Sequence, residues 1–180
     1  MIKAEQPRLA LDTSVAIYFL ADSKKDGDLD KQRLAESLFM EKKYKFVIPS
    51  LVIAELLVPV AKENRETLFQ EICKVFTIIS VDAKSAELAA RAYRTKEQVN
   101  SKQSETKAIV KYDALIVGTC LRWQVDGLCT FDGKQKSKFN SLVATLDNCH
   151  GVADDPKYFI DKSLLAWNLN KNNADPDKPE

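Results

Sequence analysis

The chain has 180 residues, 45% of them hydrophobic and 29% charged, which is the composition of one globular domain of ordinary size. Its 27 basic and 26 acidic residues leave a net charge of +1, so any contact with nucleic acid must be local. A single histidine, His150, excludes a His-rich zinc site. The polar start "MIKAEQPR" lacks a secretory signal, and no apolar run approaches the roughly 20 residues of a membrane span, so we expect a cytoplasmic protein.

Short apolar runs alternate with helical patterns along most of the chain. Strands are predicted at 8–11, 45–48, 76–81, 127–131 and 141–146, and helices at 13–21, 31–43, 50–57, 62–76, from 82 or 85 to about 99, 111–124 and 158–167. Ser50 is the predicted N-cap of the third helix, and "NSKQSETK" (100–107) is the clearest loop. This alternation predicts an α/β fold with a mostly parallel sheet.

The pattern weakens after residue 150. We therefore predict one domain over residues 1–150 and a C-terminal extension over 151–169 that contains the last predicted helix. Residues 170–180, "KNNADPDKPE" with its flanking asparagine, are polar and contain two prolines, so they are predicted to be disordered.

Four carboxylates interrupt apolar runs. Asp12 and Asp132 each follow a predicted strand, "RLAL" and "LCTF", so both are expected at the carboxyl edge of the sheet. Glu55 is the one charge within "FVIPSLVIAELLVPVA" (46–61), on a helix that begins at the same edge. Asp113 is the one charge between Tyr112 and Leu121, in the first turn of its predicted helix. The four acids are therefore expected to converge.

Each acid also has a purely structural explanation. Asp12 and Asp113 could cap or favourably charge the start of a helix, and Asp132 before Gly133 is an ordinary turn pair. Glu55 would need a buried basic partner, and none is adjacent in sequence. Four converging carboxylates would repel one another, whereas Mg²⁺ or Mn²⁺ would bind them through oxygen ligands. Such a site can hydrolyse a phosphodiester without a histidine base.

Four stretches in order carry a resemblance to a known family: "LALDTSVAIYFL", "IPSLVIAELL", "KYDALIVGTCLRW" and "LCTFDGK". Over residues 8 to about 146 the chain resembles the PIN-domain ribonucleases, which include the VapC toxins of bacterial toxin–antitoxin pairs. The resemblance implies a three-layer α/β/α fold, metal-dependent endonuclease action on RNA, frequent homodimers and an antitoxin protein as partner. The chain runs on for more than 30 residues past the last matched strand.

The resemblance also assigns roles to individual residues. It implies that Asp12, Glu55 and Asp113 are the core ligands of Mg²⁺ or Mn²⁺ and that Asp132 is the fourth acid. Thr13 follows the first acid, and Thr130 stands two residues before the fourth, where family members often carry a supporting hydroxyl.

Lysines flank the predicted acids. Lys134, Lys136 and Lys138 follow Asp132, while Lys107 and Lys111 precede Asp113. Such lysines ordinarily form a solvated face, but their placement suits them to position phosphate groups of RNA. The sequence shows no aromatic platform motif, so sequence-specific readout is not predicted.

Two other functions fit parts of the sequence. A phosphatase of the haloacid dehalogenase type also begins with an Asp at the end of a strand, but it requires a second Asp where this chain has Ser14. Only "ADDPK" (153–157) offers a late acidic pair. The second alternative is a PIN-like module that binds RNA or protein without cutting, which the presence of all four acids disfavours.

Overall fold

The computed structural model describes residues 5–20, 29–99, 107–131, 152–154 and 156–161. The strands are β1 (Arg8–Leu11), β2 (Lys45–Pro49), β3 (Thr77–Ile79), β4 (Gly127–Cys129) and β5 (Val152–Asp154). The helices are α1 (Thr13–Leu20), α2 (Leu29–Met40), α3 (Ser50–Leu57), a 3₁₀ turn (Lys62–Asn64), α4 (Arg65–Val75), α5 (Ala83–Val99), α6 (Lys107–Arg122) and α7 (Pro156–Phe159).

The five strands form one sheet in the order β3-β2-β1-β4-β5, and every pairing among them is parallel. Leu9 of β1 is aligned with Phe46 of β2 on one side and with Gly127 of β4 on the other. The middle strands are almost fully buried, as in a sheet covered on both faces by helices. The predicted α/β fold, with its three-layer α/β/α arrangement, is confirmed.

Helix α6 packs closely along α5 and also contacts α3 and β2. The close approach of α5 and α6 depends on Gly118. A Cβ atom at this position would lie 2.6 Å from the Ala89 backbone nitrogen and 2.8 Å from the Ala89 Cβ. Because no side chain fits there, the two helices can keep this separation only with glycine at position 118.

Helix starts differ from the predictions at two places. Helix α6 begins at Lys107 rather than at residue 111, so Asp113 lies in its second turn and does not cap its start. The N-cap of α3 is Pro49, not Ser50, and the Ser50 hydroxyl instead accepts a hydrogen bond of 3.3 Å from the Val81 N–H. Of the two predicted starts of α5, Asp82 and Ser85, the structure has Asp82, whose carboxylate accepts bonds from the Ser85 N–H and hydroxyl.

The chain beyond residue 150 contributes to the sheet. Strand β5 pairs with β4, although no strand was predicted there. Phe159 and Ile160 are buried, and the Asp161 N–H donates a hydrogen bond to the Glu41 carboxylate at the end of α2. The predicted loop at 100–107 ends in Lys107, which instead begins α6, and its other residues lie outside the described residues. The predicted strand at 141–146 and the tail after 161 also lie outside them, and the proposed division at residue 150 stays a prediction.

None of the helices in the described part of the chain combines the length and the apolar character that crossing a membrane requires.

Candidate active site

The centre of the sheet contains a topological switch point. From β1 the chain continues through β2 and β3 on one side, whereas β4 and β5 lie on the other side. In open parallel sheets the ligand crevice forms at the carboxyl ends of the two strands where the order reverses. Those strands are β1 and β4. Asp12 follows β1, and Thr130 follows β4.

The Asp12 carboxylate is buried at this crevice, with 7% of the residue exposed. Its Oδ2 atom accepts hydrogen bonds of 2.8 Å from both the Thr130 hydroxyl and the Ser14 hydroxyl. Within the described residues no group donates to Oδ1. Asp12 occupies the N-cap position of α1 through its backbone carbonyl, which accepts from Val15 and Ala16. Its side chain, by contrast, does not cap the helix.

Ser14 connects the two strand ends. Besides donating to Asp12, its hydroxyl accepts a bond of 3.1 Å from the Phe131 N–H and lies 3.3 Å from the Thr130 hydroxyl. In the sequence, Ser14 stands out only as the residue that differs from the phosphatase pattern. Its position two residues after the strand-end acid is the signal that could have identified it, because a hydroxyl in the first turn of α1 can bond back to the acid that precedes the helix.

Glu55 contacts Thr13, the residue that follows Asp12 in the chain. The Thr13 hydroxyl donates a hydrogen bond to Glu55 Oε2, which links the start of α1 to the middle of α3. Glu55 is partly buried, and no basic side chain in the described part of the chain pairs with it. Within the described residues, nothing therefore supports a buried structural ion pair at Glu55.

The other predicted site residues lie either on α6 or outside the described residues. Asp113 is partly buried on α6, which packs against the helix of Glu55. Among the described side chains, no three of the His, Cys, Asp and Glu residues form a cluster able to hold a metal ion. Lys111 belongs to α6, but its side chain, the whole of Asp132, and the lysines Lys134, Lys136 and Lys138 lie outside the described residues.

The chemistry of the crevice fits a hard cation. Asp12 offers a buried carboxylate oxygen without a described donor, and such an oxygen loses free energy unless a cation or water satisfies it. Burial, and secondarily the charge of Asp12, raises the pKa of the nearby Cys120 thiol. The oxygen ligands match Mg²⁺ or Mn²⁺.

The comparisons with known proteins agree with this architecture. The model of the PIN domain family matches residues 9–138. VapBC-1 from nontypeable Haemophilus influenzae is similar with a TM-score of 0.56 and 13% identity, over 83% of this chain and 98% of that chain. DNA-bound VapBC from Salmonella typhimurium has a TM-score of 0.53 and 13% identity, over 83% of this chain and 98% of that chain.

A third similar structure is that of VapC20 from Mycobacterium tuberculosis, described as a sarcin-ricin loop cleaving toxin. Its TM-score is 0.50 at 14% identity, over 70% of this chain and 91% of that chain. At such low identities these similarities support the fold alone. No sequence among the curated proteins matches the chain.

Proposed function

Because the chain belongs to the PIN domain family, we propose that it is a metal-dependent endoribonuclease that hydrolyses RNA phosphodiester bonds. The observation that carries the proposal is the state of Asp12. Its carboxylate is buried at the switch-point crevice, two hydroxyls hold Oδ2, and no described group donates to Oδ1. A buried carboxylate oxygen without a donor does not stabilise a fold, whereas a cation site requires an oxygen that is left open for the ion.

The residues that would hold the cation, Mg²⁺ or Mn²⁺, are Asp12, Glu55, Asp113 and Asp132. When bound, such an ion stabilises charge on a phosphodiester and favours a hydroxide nucleophile. The protein's own contribution is orientation. Thr130 and Ser14 hold Asp12 Oδ2, so that Oδ1 remains for the crevice, and Thr13 holds one oxygen of Glu55. Asp132 is proposed to complete the acidic set or to orient the attacking water.

RNA binding is proposed to depend on lysines near these acids. Lys111, Lys134, Lys136 and Lys138 are the proposed phosphate contacts, because they flank Asp113 and Asp132 in sequence. VapC20, which has a similar fold, is a sarcin-ricin loop cleaving toxin, and this supports RNA cleavage as the proposed reaction.

We further propose that the protein is the toxin of a type II toxin–antitoxin pair. The similar VapBC structures support an antitoxin partner, and homodimers in the cytoplasm are the proposed assembly. Co-expression with the product of the neighbouring open reading frame tests this part, with co-purification and loss of RNA cleavage as the expected results. Unchanged cleavage and separate elution would contradict it.

The nuclease proposal is tested with purified protein, hairpin and unstructured RNAs, and either Mn²⁺, Mg²⁺ or EDTA. Wild-type protein should cut RNA only with a divalent ion, and Asp12→Asn should not cut. Glu63→Gln is the matched control, because Glu63 is an exposed acid on the 3₁₀ turn and should leave cleavage unchanged. Equal cleavage by wild type and Asp12→Asn would refute the assignment.

A PIN-like module that binds without cutting is the second candidate. The observation in its favour is that the described acids include no three-membered metal cluster. Calorimetric titration with Mn²⁺ separates the two functions. A nuclease should bind Mn²⁺ and lose that binding in Asp12→Asn, whereas an inert module would bind none in either protein.

A further inference from the structure

Basic side chains gather at the edge of the sheet opposite the candidate active site. Arg8 is the first residue of β1 and Lys45 the first of β2, and the two are aligned in the parallel pairing. Lys42 and Lys43 lie in the turn that leads from α2 into β2. We call these four residues the basic edge. Asp12 follows the other end of β1, so at roughly 3.3 Å per residue it lies about 13 Å from the start of that strand.

Hydrogen bonds fix the backbone of the basic edge. The Lys45 N–H donates a bond of 2.9 Å to the Pro7 carbonyl. The Gln6 side chain donates a bond of 2.7 Å to the Lys42 carbonyl. Because both bonds join the turn before β2 to the segment before β1, the basic residues of the two strands keep a constant separation.

Two of the basic side chains are also held in place. The Arg8 guanidinium donates a bond of 3.1 Å to the Gln124 carbonyl. The Lys43 ammonium lies 5.0 Å from the centroid of the Tyr44 ring, and that ring packs edge to face on the buried Phe159. These two cations are therefore partly ordered before any ligand binds, which lowers the entropy cost of binding.

The basic edge lacks a counter-charge among the described residues. Its three lysines are exposed, and none of them forms an ion pair there. Two neighbouring acids bond to backbone N–H groups instead. The Asp126 carboxylate accepts from the Arg8 N–H, and the buried Glu41 carboxylate accepts from the Asp161 N–H. Since like charges on adjoining strands repel one another, an anion at this edge would relieve the repulsion.

We propose that the basic edge binds the phosphate backbone of RNA at a distance from the point of cleavage. The inference rests on the proposed RNA cleavage and adds a second contact for a long substrate. The four cations of the basic edge exceed the chain's net charge of +1, so the rest of the chain is negative overall. A polyanion is therefore attracted locally to this edge and not to the surface as a whole.

The layout of the cations favours a chain of phosphates over a small anion. They extend over a turn and the starts of two strands, and the three lysines face solvent. Water and salt compete effectively for a single anion at such a surface, whereas successive phosphates of one strand add their contacts. A short RNA bound at Asp12 does not reach the opposite edge of the sheet. The basic edge therefore favours long RNA without reading its sequence.

Lysine protection tests this contact without a variant. Wild type in EDTA, alone or saturated with a long single-stranded RNA, is treated with an amine-acetylating reagent, and modified lysines are identified by mass spectrometry. The long RNA should protect Lys42, Lys43 and Lys45, whereas a tetranucleotide should not. Lys62 and Lys74, which are exposed on the 3₁₀ turn and α4, should stay reactive. Unchanged reactivity of the basic edge at saturation would overturn the proposal.

Two triple variants then measure the contribution of the charges. The basic-edge variant combines Lys42→Gln, Lys43→Gln and Lys45→Gln. The control variant also removes three exposed lysines, by Lys62→Gln, Lys74→Gln and Lys84→Gln.

In EDTA the basic-edge variant should bind long RNA about 3- to 150-fold more weakly than wild type, the range for three exposed charge contacts. The slope of log Kd against log salt should fall by about 2, since each phosphate contact to a single strand contributes about 0.7. The control variant should bind like wild type. An equal loss of affinity in both variants would overturn the proposal, because it would reflect net charge alone.

Cleavage in Mn²⁺ separates the basic edge from the active site. The basic-edge variant should have a raised KM and an unchanged kcat for long RNA, and should cut the tetranucleotide like wild type. Loss of tetranucleotide cleavage would show that the substitutions act on the active site, and would overturn a role limited to long RNA. If long RNA protects these lysines but wild type cleaves neither substrate, the proposed nuclease function fails while the basic edge stands.

Discussion

Replacing Thr130 with valine tests how the hydroxyls hold Asp12. Valine keeps the volume and branching of threonine and removes only the hydroxyl. Thr130 is fully buried, and this hydroxyl donates a bond of 2.8 Å to Asp12 Oδ2. In the variant, Ser14 remains the one described hydroxyl donor to that oxygen, so the buried carboxylate loses half of its described support.

The expected loss follows from the charge of the acceptor. A hydrogen bond to a charged group contributes about 1.5–3 kcal/mol, against about 0.5–1.5 kcal/mol for a bond between neutral groups. The upper range applies because both partners are buried and water cannot replace the hydroxyl. Since about 1 kcal/mol shifts the Tm of a domain of this size by roughly 2–4 °C, Thr130→Val should lower the Tm by about 3–12 °C.

Thr119→Val is the matched control. Thr119 is also fully buried, but its hydroxyl donates a hydrogen bond of 2.7 Å to the Leu115 carbonyl within α6, which is a neutral acceptor. Thermal and urea unfolding in EDTA, together with RNA cleavage in Mn²⁺, are measured for both variants. Thr130→Val should be the less stable protein and should lose cleavage, whereas Thr119→Val should cut like wild type. Equal unfolding free energies and equal cleavage would refute the support assigned to Thr130.

Three other substitutions examine the same structure. Ser14→Ala removes a donor to Asp12 and the acceptor of the Phe131 N–H, so urea unfolding should show a loss of about 1–3 kcal/mol; an unchanged midpoint would contradict this. Gly118→Ala forces α5 and α6 apart and should lower the free energy of unfolding by about 1–3 kcal/mol in the same assay. An unchanged midpoint would mean that the two helices separate freely. A hydrogen bond from the Ser85 N–H, and secondarily bonds from the Ser85 hydroxyl and from Arg122, lower the pKa of Asp82. The ionised carboxylate therefore stabilises the fold at pH values above its ordinary pKa of 3.8. This stabilisation is lost as the pH falls below that value. The Tm difference between wild type and Asp82→Asn should therefore be present at neutral pH and vanish in acid; a difference independent of pH would be inconsistent with it.

The fold was predictable because its signals are local. "RLAL" and "KFVI" are continuous apolar runs, which indicate strands buried on both faces, and each is followed by a helical pattern. Strand β5 was missed because it has three residues and includes Asp154, so neither length nor hydrophobicity distinguishes it from a loop. Its pairing with β4 is a tertiary effect that no local pattern encodes.

The site was predictable only in part. Acids within apolar runs identified Asp12 and Glu55, since burial of an unpaired carboxylate is costly and requires a reason. Hydroxyls carry no such cost at the surface, so the signal of Ser14 is only its spacing from Asp12, which is weaker than a carboxylate in an apolar run, although Ser14 joins both strand ends.

The backbone of Asp12 explains why its carboxylate cannot escape burial. The Asp12 N–H donates a hydrogen bond of 3.0 Å to the Cys129 carbonyl, and this bond extends the β1–β4 ladder. The Asp12 carbonyl accepts hydrogen bonds from the first turn of α1. The residue is thus fixed by the sheet on one side and by the helix on the other, and its side chain cannot rotate into solvent without breaking two hydroxyl bonds. A stable fold would satisfy both carboxylate oxygens or replace the acid. A rigid, half-satisfied carboxylate at the switch point is the arrangement that the proposed cation site requires.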